Sequence, residues 1–163
     1  MSDLFHEDVP DEFILKAFYI MKKSHWHHFQ VLTKRAERLD KLNSQLPWAP
    51  NIWMGVSVET QKYTDRIEYL CRSDARVKFL SLEPLLGPIR IKKLGRMDWV
   101  IVGGESGPGS RPINGSWVGN IRDQCLRANV SFFFKQWGGI NKKKTGRLLD
   151  NRIWDQMPEV VNL

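Results

Sequence analysis

With 163 residues, 42% of them hydrophobic, the chain is long enough for one domain with a sizeable core. Its net charge of +7 and sequence pI of about 9.6 favour an anionic partner, phosphate or nucleic acid, with a merely solvated basic surface as the alternative. No apolar run is long enough to cross a membrane, so no membrane partner is expected, and the acidic opening MSDLFHEDVPDEF has no signal-peptide pattern. Cys71 and Cys125 are isolated in helix-like patterns and read as reduced core residues, which makes a cytoplasmic protein the expectation.

After Pro10, the residues Phe13, Ala17, Ile20 and Met21 recur at helical spacing and predict a first helix with that face inward. The HWHH run, His25 to His28, then leads into HFQVLT (28–33), the first of five segments rich in β-branched and aromatic residues. Ala36, Leu39, Leu42 and Leu46 share a helical face that Pro47 ends. The second strand is IWMGVSV (52–58). Ile67, Leu70 and Cys71 mark the next helix, and VKFLSL (77–82) is the third strand. Pro84, Gly87 and Pro88 break the stretch that follows, read as a loop with a short extended piece. WVIVGG (99–104) is the fourth strand. A helix presenting Trp117, Ile121, Cys125 and Ala128 follows, N-capped by Asn114 or Ser116, and SFFFKQW (131–137) is the fifth strand.

Most of these strands are apolar almost throughout, as in a parallel sheet covered on both faces, and helices alternate with them. Five units are too few for an eight-stranded barrel. The predicted fold is α/β: an incomplete (β/α) barrel of about five parallel strands with intervening helices, forming one domain over residues 1–163. Such a sheet would leave its first strand exposed, so pairing with another copy as a homodimer is plausible.

Charge follows every strand: Lys34 and Arg35, then Glu59, Glu83, Glu105 with Ser106, and finally Lys135 with Gln136. In a parallel sheet these ends share one rim, where ligands and catalysis collect. On one reading, Glu59, Glu83 and Glu105 converge on a divalent cation (Mg²⁺, Mn²⁺ or Ca²⁺) or act with Lys34 and Lys135 as acid and base, with Asp3, His6 and Glu7 as added ligands. On the other, each glutamate pairs with a rim cation, Lys34, Lys135 or Arg111, and the rim is salt-linked without metal. The stretch GGESGPGSRP combines Gly103, Gly104, Gly107 and Gly109, which permit close backbone approach, with Ser106 and Arg111. With Gln136 it reads as a cradle for a small polar or anionic ligand, against a purely structural turn. A nucleophile elbow at Ser106 fails at Pro108, where the motif needs glycine. The histidine run reads as surface on the opposite rim. NKKKTGR (141–147), after FFFKQW, reads as a solvated loop or as a grip on a nucleic-acid backbone.

The blocks SDLFHEDVP, VLTKRAER, WMGVSVE, FLSLEPLLGPI, DWVIVGGESGPGSRP and FFFKQWGG, in this order, resemble the phage Gp37/Gp68 family, a domain of unknown function. Fuller members resemble radical-SAM barrels and have a cysteine cluster near their start. By that likeness Met1 falls at an internal methionine near the end of the third barrel strand, and the five strands here are the fourth to the eighth. The cysteine segment is absent from this sequence, and Cys71 and Cys125 cannot supply three thiolates, so no iron–sulfur cluster is expected. The resulting expectation is a divalent-metal-assisted hydrolase acting on a small polar or anionic substrate at the rim. The alternatives are a nucleic-acid-binding or nucleic-acid-modifying protein and an inactive remnant of a radical-SAM-like barrel.

Overall fold

The computed structural model describes residues 3–159, apart from the side chains of Lys142 and Lys143. Five strands, β1 (Phe29–Thr33), β2 (Ile52–Ser57), β3 (Val77–Leu82), β4 (Trp99–Gly103) and β5 (Ser131–Gln136), form one sheet in sequence order. All four pairings are parallel. The sheet is open and does not close into a barrel. Among the described residues, four helices accompany it, α1 (Asp11–Lys23), α2 (Ala36–Leu42), α3 (Arg66–Arg72) and α4 (Gly115–Ala128), with a single-turn α5 (Lys142–Thr145) beyond the last strand. No helix among the described residues is long and apolar enough to cross a membrane.

The side chains divide by strand parity. Met54, Val56, Leu80, Leu82, Val100, Val102, Phe132 and Phe134 point to the helices and share one core with Leu39, Ile67, Leu70, Val118, Ile121 and Cys125. The other face holds a separate aromatic patch, Trp53, Phe79 and Trp99, with Phe133 edge-on to Trp99. The near-continuous apolar strands thus meet apolar neighbours on both faces. Cys71 and Cys125 are buried free thiols, and burial pushes Cys71 upward and Cys125 to about 12.

The face expected for α1 needs correction. Phe13 and Ile20 are 58% and 54% exposed, whereas Ile14 and Phe18 are buried. This helix is apolar on more than one side, so spacing alone offers two candidate faces. Phe18 wins because its ring packs edge-on against both Phe5 and Trp48. The 83–98 stretch holds no strand, only a 3₁₀ turn at Leu94–Arg96, although Ile89 and Ile91 are buried. Asn114 caps α4 by accepting from the Ser116 N–H and hydroxyl.

Two features went unforeseen. A hairpin, β6 (Leu148–Leu149) with β7 (Arg152–Ile153), turns on Asp150 and Asn151, both at positive φ. The chain then runs antiparallel beside β5, where the Phe134 N–H donates to Trp154 O and the Gln156 N–H to Phe132 O.

Buried Asn51 ties the entry of β1 to the start of β2. Its amide donates to the carbonyls of Met21, Ser24 and His27 at 2.9, 3.2 and 3.0 Å, closing the C-terminal end of α1. Asn51→Ala should therefore cost about 1–3 kcal/mol of stability through the orphaned carbonyls, read as a lower urea midpoint at constant slope. Asn51→Asp should cost more, because it sets a carboxylate against the same oxygens.

Candidate functional site

The sheet brings the charged strand ends to one rim, as the alternation predicts, and ties them into ion pairs. After β2, Glu59 is 7% exposed. One carboxylate oxygen meets Lys34 Nζ at 2.5 Å and the other meets the Arg66 guanidinium at 3.1 Å, while Arg66 also donates to Ser57 O. Burial pushes the Glu59 carboxyl up. Lys34, a backbone N–H and Arg66 more than offset this and hold it below the usual glutamate value. Arg66, stacked 4.3 Å above the Tyr63 ring, escaped the sequence reading, because it lies a turn and a 3₁₀ segment beyond the strand end. Beside this group a cleft of about 730 Å³ opens between α2 and α3, lined in part by Lys34, Arg38, Lys41, Tyr63 and Tyr69.

After β3, the Glu83 carboxylate lies across the end of β4. A Cβ on Gly103 would stand 3.1 Å from its Cδ and Oε1, so only glycine leaves the carboxylate this path at its present spacing. On the far side it meets β5. The β4–β5 register runs Val102 to Phe134 and then Gly103 to Gln136, so Lys135 is an extra residue in the ladder. Adjacent strand residues normally point to opposite faces. This bulge turns both toward Glu83: Lys135 Nζ at 3.0 Å from Oε2, and Gln136 Nε2 at 3.3 Å from Oε1. The same carboxamide donates to Ser106 Oγ at 2.9 Å.

After β4, Glu105 holds Arg111 through a fork of two 2.7 Å bonds and also accepts the Arg111 backbone N–H. The loop zips onto the turn after β5. The Gly139 N–H donates to Glu105 O, and the Gly107 N–H donates to Gly139 O. A Cβ on Gly104 would meet Trp137 O at 2.0 Å, so the open side of this glycine is filled by backbone. Gly107 and Gly109 adopt positive φ.

The salt-linked rim is the arrangement observed: Lys34 with Glu59, Lys135 with Glu83, Arg111 with Glu105. Asp3 accepts from the Lys34 and Phe5 N–H groups, Thr33 Oγ1 and Arg35, while His6 Nδ1 pairs with Asp8 and Glu7 is exposed. Burial pushes the Asp3 carboxyl up, but these donors prevail and hold it below the usual value. Among the described residues, no three His, Cys, Asp or Glu side chains stand together as a metal-binding group. His25 to His28 are exposed at the opposite end of the sheet, where β1 begins. Of the 141–147 segment, the Lys142 and Lys143 side chains lie outside the described residues.

Arg111 lowers Glu105 from 4.5 to about 2. A depressed carboxyl stabilises the fold above its unfolded value and loses that contribution as pH falls through the folded value, so the clasp should hold at pH 4.5 and open only towards pH 2. A carbon-detected NMR titration of the Glu105 carboxyl should show a midpoint near 2, moved back towards 4.5 by Arg111→Gln. A midpoint near 4.5 in the unmodified protein would contradict the clasp.

No curated protein and no solved structure matches the chain. A family model described as a protein of unknown function (DUF5131) matches residues 1–158, and the chain belongs to that family.

Proposed function

We propose that the rim around Glu83 and Lys135 binds a small polar or anionic ligand and performs acid–base chemistry on it, with hydrolysis as the reaction class. The bulge in β5 carries this reading. It turns a cation and a carboxamide that would otherwise point apart onto one carboxylate. Bulges that re-aim side chains in this way recur beside active sites. The Glu83 side chain keeps 23% of its surface exposed and that of Lys135 keeps 51%, so a ligand from solvent reaches both.

The chemistry follows from the donors. A carbonyl or phosphoryl oxygen of the ligand accepts from Lys135 Nζ, whose ammonium has donors beyond the one spent on Glu83 and which holds the negative charge that develops as water adds, while Gln136 keeps Glu83 in place. Glu83 takes the proton from the attacking water and returns it to the leaving group. Ser106 fixes the Gln136 carboxamide and is not the nucleophile in this scheme, since it has no basic partner and bonds only to that amide among the described contacts. The chain's positive balance favours anionic ligands over cationic ones. The blocks shared with the phage Gp37/Gp68 family belong to this reading as a kinship, and with them the likeness of fuller members to radical-SAM barrels. A metal-assisted form would require Glu59, Glu83 and Glu105 to release their separate cations and gather on one ion.

A screen of phosphate esters, carboxylate esters and amides tests the proposal. Glu83→Gln should lower turnover of any substrate found by about a hundredfold or more with the fold intact by circular dichroism. Ser106→Ala should cost under about tenfold. Gly103→Ala keeps every functional group but displaces the carboxylate, so it should lower kcat more than it changes KM. Turnover indifferent to Glu83→Gln would refute the assignment. Calorimetry with Mg²⁺, Mn²⁺ and Ca²⁺ separates the forms: binding heat abolished by Glu83→Gln supports metal assistance, and its absence leaves the metal-free scheme.

A further inference from the structure

The face of the sheet turned away from the helices changes character along the strands. Its middle is aromatic: Trp53, Phe79 and Trp99, with the Phe79 ring lying over Gly55, where a Cβ would stand 2.4 Å from it. Two residues further on, the register sets Ser57, Ser81, Ile101 and Phe133 in a row across β2 to β5. The next row is the rim itself, where the Glu83 carboxylate crosses Gly103 to Lys135. Strand residues two apart share a face, so the two serines lie one row below the Glu83 site.

Ser57 and Ser81 are 4% and 5% exposed, and neither hydroxyl has a hydrogen-bond partner among the described residues. Buried hydroxyls are normally paired, so two standing side by side without a protein partner mark a place where water supplies the bonds. The opening left at each serine is at most of atomic size, too small for another stretch of chain and right for a water. Ile101, beside Ser81, is half-buried, so room continues from Ser81 towards Glu83. Each Glu83 oxygen accepts from one described donor, Gln136 at Oε1 and Lys135 at Oε2, and has a lone pair to spare. Diagonal neighbours on one face of a sheet lie about 7–8 Å apart. A water with bonds of about 2.8 Å on either side, added to the reach of a serine and a glutamate, spans that gap.

We propose that Ser81 is the positioning residue for the water on which Glu83 acts, and that Ser57, its register partner, holds the next water in line. The inference rests on the reading of Glu83 as the base. The attacking water donates one hydrogen to Glu83 and the other to Ser81 Oγ, which leaves an oxygen lone pair for the ligand held at the rim by Lys135. Its oxygen bonds to the carbonyl carbon or the phosphorus, its proton passes to Glu83, and that proton departs with the leaving group as the old bond breaks. The water between Ser57 and Ser81 then refills the place. This accounts for hydroxyls standing side by side at one level of β2 and β3, whose other residues on this face are Trp53, Gly55, Val77 and Phe79.

A crystal structure of the full chain, sharp enough to show ordered water, tests this. A water is expected about 2.6–3.2 Å from both Ser81 Oγ and a Glu83 oxygen, with a second one between Ser81 and Ser57. Ser81→Ala should remove the first water and leave the pairing of Lys135 with Glu83 in place. On any ester, amide or phosphate substrate found by the screen, Ser81→Ala should lower kcat by about tenfold or more with KM unchanged, and Ser57→Ala should lower it less. Serine hydroxyls bonded to protein groups, a water on Ser81 that does not reach Glu83, or a Ser81→Ala variant that changes KM alone or nothing would overturn the proposal. The crystallographic result reads the water whether or not a substrate turns over. Turnover indifferent to Glu83→Gln therefore refutes the hydrolytic reading, and a missing water refutes this inference, each without the other.

Discussion

Parallel strands place all their C-terminal ends on one side of a sheet, so a charged residue that follows each apolar run can only join the others along a shared rim. There the charges must be matched before they can be placed. Glu59, 7% exposed, would be untenable without Lys34 and Arg66 on its two oxygens. Glu83 and Glu105 repeat the solution with different cations. The rim is thus a row of three separate carboxylate–cation groups, centred on Glu59, Glu83 and Glu105, and not a single pooled carboxylate cluster. That pattern ties loops from neighbouring strands together: Lys34 after β1 reaches Glu59 after β2, and Lys135 within β5 reaches back to Glu83 after β3.

The second of these links skips a strand, and so depends on what β4 omits. A carboxylate crossing from β3 to β5 must pass over the β4 backbone, and Gly103 is the residue that lets it through. The added residue at Lys135 then brings the receiving groups round to meet it. Gly104, one step further, serves the neighbouring contact, where the backbone of Trp137 fills the space a side chain would need. Two consecutive glycines thus have two distinct duties, one for a side chain and one for a main chain.

The strands and their order were legible in the residue pattern because apolar runs and turn residues alternate so cleanly, and the observed ends fall within a residue or so of those expected. The rim cations paired as the salt-linked reading supposed, Lys34, Lys135 and Arg111 each with one glutamate. The bulge was not legible: in SFFFKQW the apolar run is satisfied by either register, and only the partner strand reveals the slip. Arg66 was hidden for a similar reason, since the turn and 3₁₀ segment between it and the end of β2, which bring it back to Glu59, leave no periodic signal. The wrong face of α1 came from having too many apolar residues on one helix. The 148–153 hairpin is short and has Asp-Asn at its turn instead of a glycine pair, which weakens its local signal.

Cys125 lies at the centre of α4's contact with the sheet, fully enclosed, with its thiol pushed to about 12. Burial thus keeps this sulfur as the protonated thiol, the form that reacts poorly with alkylating reagents, as well as out of their reach. Alkylation at that position therefore waits on the separation of helix from sheet. The protein contains, without any added label, a chemical timer for the opening of its own interior.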